Sequence, residues 1–191
     1  MTRPGTAADR DRVGTLLASA FADEEAMVYL FPDPSVRAAQ TPKLFRLLFD
    51  TDRAAGQTWI TAGGEAATLW RRPGHADLSF LELMRSGLTF LSTFGLAVQR
   101  ALRLADALEA QHPARDFWYL HIAGCDRAHQ GRGFGRRAIQ AGIAHAGEVP
   151  CLLETATERN VPFYASLGFG VSAELVVPGG GPKFWQMIRE P

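Results

Sequence analysis

The residues with the plainest chemical reading are Gln130-Gly131-Arg132-Gly133-Phe134-Gly135. They lie between an apolar stretch, Phe117 to Cys125, and a helical pattern that extends to about Ala146. A strand, a glycine-rich turn and a helix start in that order form an anion cradle. Glycine lets the backbone approach a ligand with no Cβ in the way. The unpaired N–H groups of the first helical turn, at the positive end of the helix dipole, then hold phosphate. Arg127, Arg132, Arg136 and Arg137 add positive charge around the same turn. The expected ligand is a phosphorylated cofactor. Taken alone, the run reads equally as a glycine-rich helix entry with no ligand. It is not a GxxxxGK(S/T) loop, because the lysine is missing. Nor is it the dinucleotide fingerprint GxGxxG: Glu154 falls in the acidic window, but Arg136 stands where the last glycine belongs.

The same six residues match the Q/R-x-x-G-x-G/A signature of the GNAT superfamily of acyl-CoA-dependent N-acyltransferases. The strand before them resembles that family's cofactor-contacting strand, and Leu152-Leu153-Glu154-Thr155 resembles the strand that follows. Asn160 to Phe169 is similar to its N-x-x-x-x-Y-x-x-x-G-F element. Together these cover residues 117–169. The Asn-x-Pro-Phe-Tyr wording, the Phe-Trp-Tyr-Leu opening and Trp185 resemble the branch that contains puromycin N-acetyltransferase, which does not identify the acceptor.

The resemblance implies an α/β (α+β) fold, a mixed and centrally splayed sheet flanked by helices with a βαβ acetyl-CoA-binding core. It implies acetyl transfer from acetyl-CoA, as co-substrate, to a primary amine of a small molecule, by direct attack in a ternary complex. The main chain of Ala123 and Cys125 would pair with the pantetheine arm. Gln130, Gly131, Arg132, Gly133, Phe134, Gly135 and Arg136 would hold the pyrophosphate. Asn160 would hydrogen-bond the cofactor arm, a role compatible with capping a helix. Tyr164 would protonate the departing thiolate, which a phenol near pKa 10 suits.

Acetyl transfer to an amine also needs a base, because only the neutral amine attacks, and a donor for the tetrahedral oxyanion. Backbone N–H groups between Ile122 and Cys125 are placed to be that donor. Two residues compete for the base. His121, four residues before Cys125, has a suitable imidazole, but a lone histidine in a strand is commonly a structural hydrogen-bonder. Glu154 faces the same cleft if strand alternation holds; otherwise it is expected to pair with an arginine. The family's commonest pattern has a carboxylate at position 121 and often a proline at 127, where this chain has Arg127. Two other readings keep the fold: a cofactor-binding sensor module without turnover, and a protein or peptide acetyltransferase.

The elements that must position these groups are legible in outline. A chain of 191 residues, 47% hydrophobic and 21% charged, is long enough to bury a core and is expected to be one domain, residues 1–191. Its 20 basic and 20 acidic residues cancel, so no global field recruits nucleic acid or a membrane. With no signal peptide or long apolar run, a cytoplasmic monomer or homodimer is expected. Cys125 and Cys151 sit in apolar runs, and neither a disulfide nor a metal site is expected from them. Residues 8–21 carry a helical stripe, and Pro32 and Pro34 follow in an expected loop. Thr41-Pro42 is expected to open a helix that ends near Gly56. Residues 58–62 and 66–70 form a hairpin about Gly63-Gly64. Residues 76–111 suggest a long helix broken near Gly95, an insertion over the acceptor side, with core packing as the alternative. A parallel βαβ unit, residues 117–155, and a final hairpin at Gly179 to Gly181 complete the chain.

Overall fold

The structure is a computed structural model in which residues 1–76, 87, 89, 90 and 92–191 are described. Seven strands form one sheet: β1 (Thr2–Pro4), β2 (Gly56–Thr61), β3 (Ala66–Arg71), β4 (Trp118–Cys125), β5 (Cys151–Thr155), β6 (Gly170–Val176) and β7 (Lys183–Arg189). Their order is β1-β2-β3-β4-β5-β7-β6, and β4–β5 is its parallel pair, joined by the expected crossover helix. The helices are α1 (Arg10–Ala20), α2 (Glu25–Leu30), α3 (Pro34–Ala55), α4 (Val98–Glu109), α5 (Phe134–Ala146) and α6 (Val161–Ala165).

Strand alternation separates two cores. Leu69 of β3 packs with Leu17, Phe45 and Phe49 of α1 and α3. Its neighbour Trp70 packs with Ile139 and Ala146 of α5, Leu120, Leu153 and Tyr164. The small-residue stripe on α5 has a specific purpose. A Cβ on Gly142 would lie 2.1 Å from the Trp70 ring. That ring cannot yield, because it is buried and its Nε1 donates to Thr68 Oγ1 at 3.0 Å. Gly142→Ala is therefore expected to lower stability by about 1–3 kcal/mol through overpacking, read as a lower denaturant midpoint at unchanged slope.

One expected boundary is wrong. The third helix starts at Asp33-Pro34, not at Thr41-Pro42, so Pro34 belongs to the helix and not to a loop. The Asp33 carboxylate accepts from the N–H groups of Ser35 (2.7 Å) and Val36 (3.1 Å), a better cap than Thr41 makes. Pro42 is carried inside the helix, where the Thr41 hydroxyl donates to the Arg37 carbonyl at 2.7 Å. The break near Gly95 is present: Gly95 has φ +47° in a 3-10 turn that leads into α4. Residues 77–86, 88 and 91 of the expected long helix lie outside the described residues.

Candidate active site

Two irregularities of β4 create the site. Its pairing with β5 stops after Tyr119↔Leu152, so the strands splay beyond that point. On the other edge, Leu69 pairs with Ile122 and Trp70 with Leu120, which leaves His121 as an extra, bulged residue. The ladder's phase decides which peptide groups face the splay. The Asp126 N–H donates to the Glu65 carbonyl at 2.8 Å, so Gly124 and Asp126 bond toward β3. The peptide groups of Ala123 and Cys125 therefore face the gap, as a partner that pairs along β4 requires.

The turn after β4 then closes a cleft of about 1160 Å³. Gly131 (φ +74°) and Gly133 (φ +76°) are both left-handed, and Gly133 is the N-cap of α5. Any Cβ there would be strained, and Gly133 delivers the first N–H groups of α5 to the cleft. Among the described residues, Arg132, Arg136 and Arg137 have no carboxylate partner. Arg132 and Arg137 lie over the Phe134 ring, at 5.6 and 4.4 Å from its centroid. Arg136 reaches α6, donating to Ser166 Oγ at 2.6 Å. Arg127 is different: Asp23, at 2.8 Å, neutralises it. The residues present thus fit a pyrophosphate. Ala123, Cys125, Gln130, Gly131, Gly133, Phe134, Gly135, Arg136 and Asn160 all line this cleft; Arg132 does not. Gly133→Val is expected to abolish acetyl-CoA binding in calorimetry while the far-UV spectrum stays native; undiminished binding would remove this turn from the cofactor site.

A second cavity, of about 360 Å³, adjoins the first and holds the candidate acid–base groups. His121, Glu154 and Tyr164 all line it. His121 Nδ1 lies 2.8 Å from Asp52 Oδ2, and Asp52 Oδ1 accepts from Arg71 Nη1 at 2.8 Å. Asp52 and Arg71 are fully buried, whereas the His121 side chain is 22% exposed. A carboxylate can only accept, so Nδ1 carries the proton and Nε2 is left for the cavity. Tyr119 stacks on the imidazole at 5.3 Å and fixes its plane.

Glu154 has a histidine neighbour, not the expected arginine: His112 Nε2 is 3.2 Å from Glu154 Oε1, and the Glu154 side chain is 2% exposed. Burial, and after it the Glu154 charge, pushes the Tyr119 phenol well above its ordinary pKa.

Tyr164 is buried, with its ring edge-on to Phe163 and Phe169. Desolvation, with a smaller contribution from the Glu24 charge, pushes its pKa up to about 12. It stays protonated at neutral pH, as a proton donor must. Asn160 Nδ2 lies 3.4 Å from Thr155 Oγ1, and its side chain makes no helix-cap bond.

The two cavities share Phe21, Glu24, Ala123, Thr157, Asn160 and Tyr164. Glu24, which sequence reasoning passed over, caps α2: its Oε2 accepts from the Ala26 N–H at 2.9 Å, and burial raises its carboxyl pKa. Asp52 and Arg71 were also passed over. The available signal was an acidic residue in an i, i+4 apolar series, Leu44, Leu48, Asp52.

Residues 96–169 match the family model described as Acetyltransferase (GNAT) family. A crystal structure of a histone acetyltransferase HPA2 and related acetyltransferase from Corynebacterium glutamicum is 25% identical, with TM-score 0.78, over 100% of this chain and 96% of that one. A polyamine N-acetyltransferase of Drosophila melanogaster is 15% identical (TM-score 0.63; 100% and 99% covered). An arylalkylamine N-acetyltransferase 2 from Aedes aegypti is 17% identical (TM-score 0.57; 100% and 98%). The last two share the fold and differ in the acceptors they are named for.

Proposed function

We propose, from the premise that the chain belongs to the GNAT superfamily of N-acetyltransferases and is an acyltransferase, that it acetylates the primary amine of a small molecule. Acetyl-CoA is the donor, the attack is direct within a ternary complex, and residues 1–191 act as one catalytic domain. The observation that carries this reading is the junction. A cleft with a phosphate cradle meets a second, smaller cavity at Glu24, Ala123, Asn160 and Tyr164, so two substrates, one in each, meet there.

The residues then divide the work. The peptide groups of Ala123 and Cys125 pair with the pantetheine arm along the splayed edge of β4. The Ala123 N–H sits at the junction and donates to the oxyanion that forms as the amine adds to the thioester carbonyl. His121 Nε2 takes the amine's proton, directly or through one water, while Asp52 holds the ring and supports the imidazolium. As the C–S bond breaks, the Tyr164 hydroxyl gives its proton to the sulfur. Burial raises the pKa of that phenol, and the same dry site raises that of the thiol, so the donor and acceptor stay matched. The products are an amide and free coenzyme A.

Support for an amine acceptor of modest size comes from the volume of this cavity, about 360 Å³. The test is a screen of primary amines for thiol release from acetyl-CoA. Saturable release with one amine class is the expected result. Acetyl-CoA binding with no release from any amine would favour a sensor module.

A further inference from the structure

We propose that the second cavity selects an acceptor with an aromatic or branched-alkyl body and a single primary amine; this rests on the acetyltransferase reading above. Its apolar walls include Met27 and Leu30 of α2, Leu48 of α3, Leu104 and Leu108 of α4, and Phe184 of β7. Helix α4 is the telling one. Its Ala101, Leu104, Ala105 and Leu108 recur at i, i+3, i+4 and i+7, an apolar stripe of the kind that normally packs into a core. Yet no residue of α4 is buried, and all four of these line the cavity. The stripe is only half covered: Ala101, Leu104 and Leu108 pack partly buried against the core, and beside them Arg100 Nε donates to the Leu30 carbonyl at 3.0 Å. An apolar face kept open to a cavity that is continuous with the transfer junction gains stability when the acceptor covers it.

The charged groups around the cavity do not offer a site for a second ammonium within it. Glu24 is at the junction, engaged by the α2 N–H groups. Glu154 lies against His112, and Asp52 is consumed by Arg71 and His121. Asp106 and Glu109 line the cavity from exposed positions of α4, where water screens their attraction for a cation. A polycation would thus gain little from screened or engaged carboxylates and would shed hydration against the leucines, whereas an apolar body is welcome.

The experiment compares 2-phenylethylamine with putrescine at saturating acetyl-CoA. The expected result is a kcat/KM at least about 100-fold higher for 2-phenylethylamine, the upper part of the range that one methylene discriminates. Leu104→Asp, on a helix with no buried residue, should raise the KM for 2-phenylethylamine by about tenfold or more and leave acetyl-CoA affinity unchanged. Equal or better turnover of putrescine, or a Leu104→Asp protein with unchanged KM, overturns the proposal and leaves the acetyltransferase reading intact. If neither amine is acetylated, calorimetry of 2-phenylethylamine against the enzyme saturated with coenzyme A decides. Binding keeps the pocket assignment and removes the acetyltransferase reading; no binding, in protein that still binds acetyl-CoA, removes the pocket assignment.

Discussion

Replacing His121 with alanine is expected to lower kcat/KM for amine acetylation by roughly 100- to 10,000-fold, the scale of a lost general base. Acetyl-CoA affinity should not change, since His121 is not among the residues lining the cofactor cleft. The pH profile gives a second, independent readout. A general base works only in its unprotonated form, so the profile of such a mechanism has an acid limb. That limb should vanish in His121→Ala. Asp52→Asn keeps the side-chain volume but removes the charge that orients Nδ1–H. It should lower kcat without affecting acetyl-CoA affinity. A His121→Ala enzyme with unchanged kcat/KM and pH limb would leave Glu154 as the base, and Glu154→Gln would then carry the loss.

The legible parts of this chain are those whose grammar is local. Glycines at 131 and 133 mark left-handed backbone, and the structure has φ above +70° at both. The apolar run before them, the helix after them and the parallel strand at Cys151–Thr155 follow from period and from the rules of crossover connections. Local grammar was also the source of the one misplaced boundary. The sequence places the helix start at Thr41-Pro42 and Pro34 in a loop, whereas the bonds that Asp33 makes set the start at Pro34.

What stayed illegible is long-range. His121 and Asp52 are 69 residues apart, Trp70 and Gly142 are in different elements, and the acidic helix cap at Glu24 reaches the junction only once α2 is folded against it. The bulge that turns His121 toward Asp52 leaves no mark in composition or period, because it is a property of how β3 and β4 pair. Helix α4 shows the same limit from the other side. The sequence offers an acceptor-side insertion or core packing for its segment, and the stripe does part of each, lining the cavity while Ala101, Leu104 and Leu108 touch the core.

Tyr164→Phe deletes one hydroxyl and almost no volume, which makes it the sharpest separation of chemistry from packing. If that hydroxyl protonates the departing sulfur, kcat should fall by roughly 10- to 1000-fold while acetyl-CoA affinity barely changes. A purely structural tyrosine would give near-normal turnover and at most a small stability change. The pH dependence has a definite sign. The folded-state pKa, about 12, is above the ordinary value near 10, so the neutral phenol is favoured in the native state. Between about pH 10 and 12 the unfolded chain has released this proton and the native chain has not, so stability falls as pH rises through that window. Below pH 10 the term is constant, and Tyr164 contributes no alkaline limb to kcat there. Titrating thermal midpoints of wild type and Tyr164→Phe across pH 9 to 11 should show the variant losing less stability in that range. Wild-type kcat in Tyr164→Phe, measured with a turned-over amine where chemistry limits the rate, would remove Tyr164 from the mechanism and leave thiolate departure to the oriented peptide groups of β4.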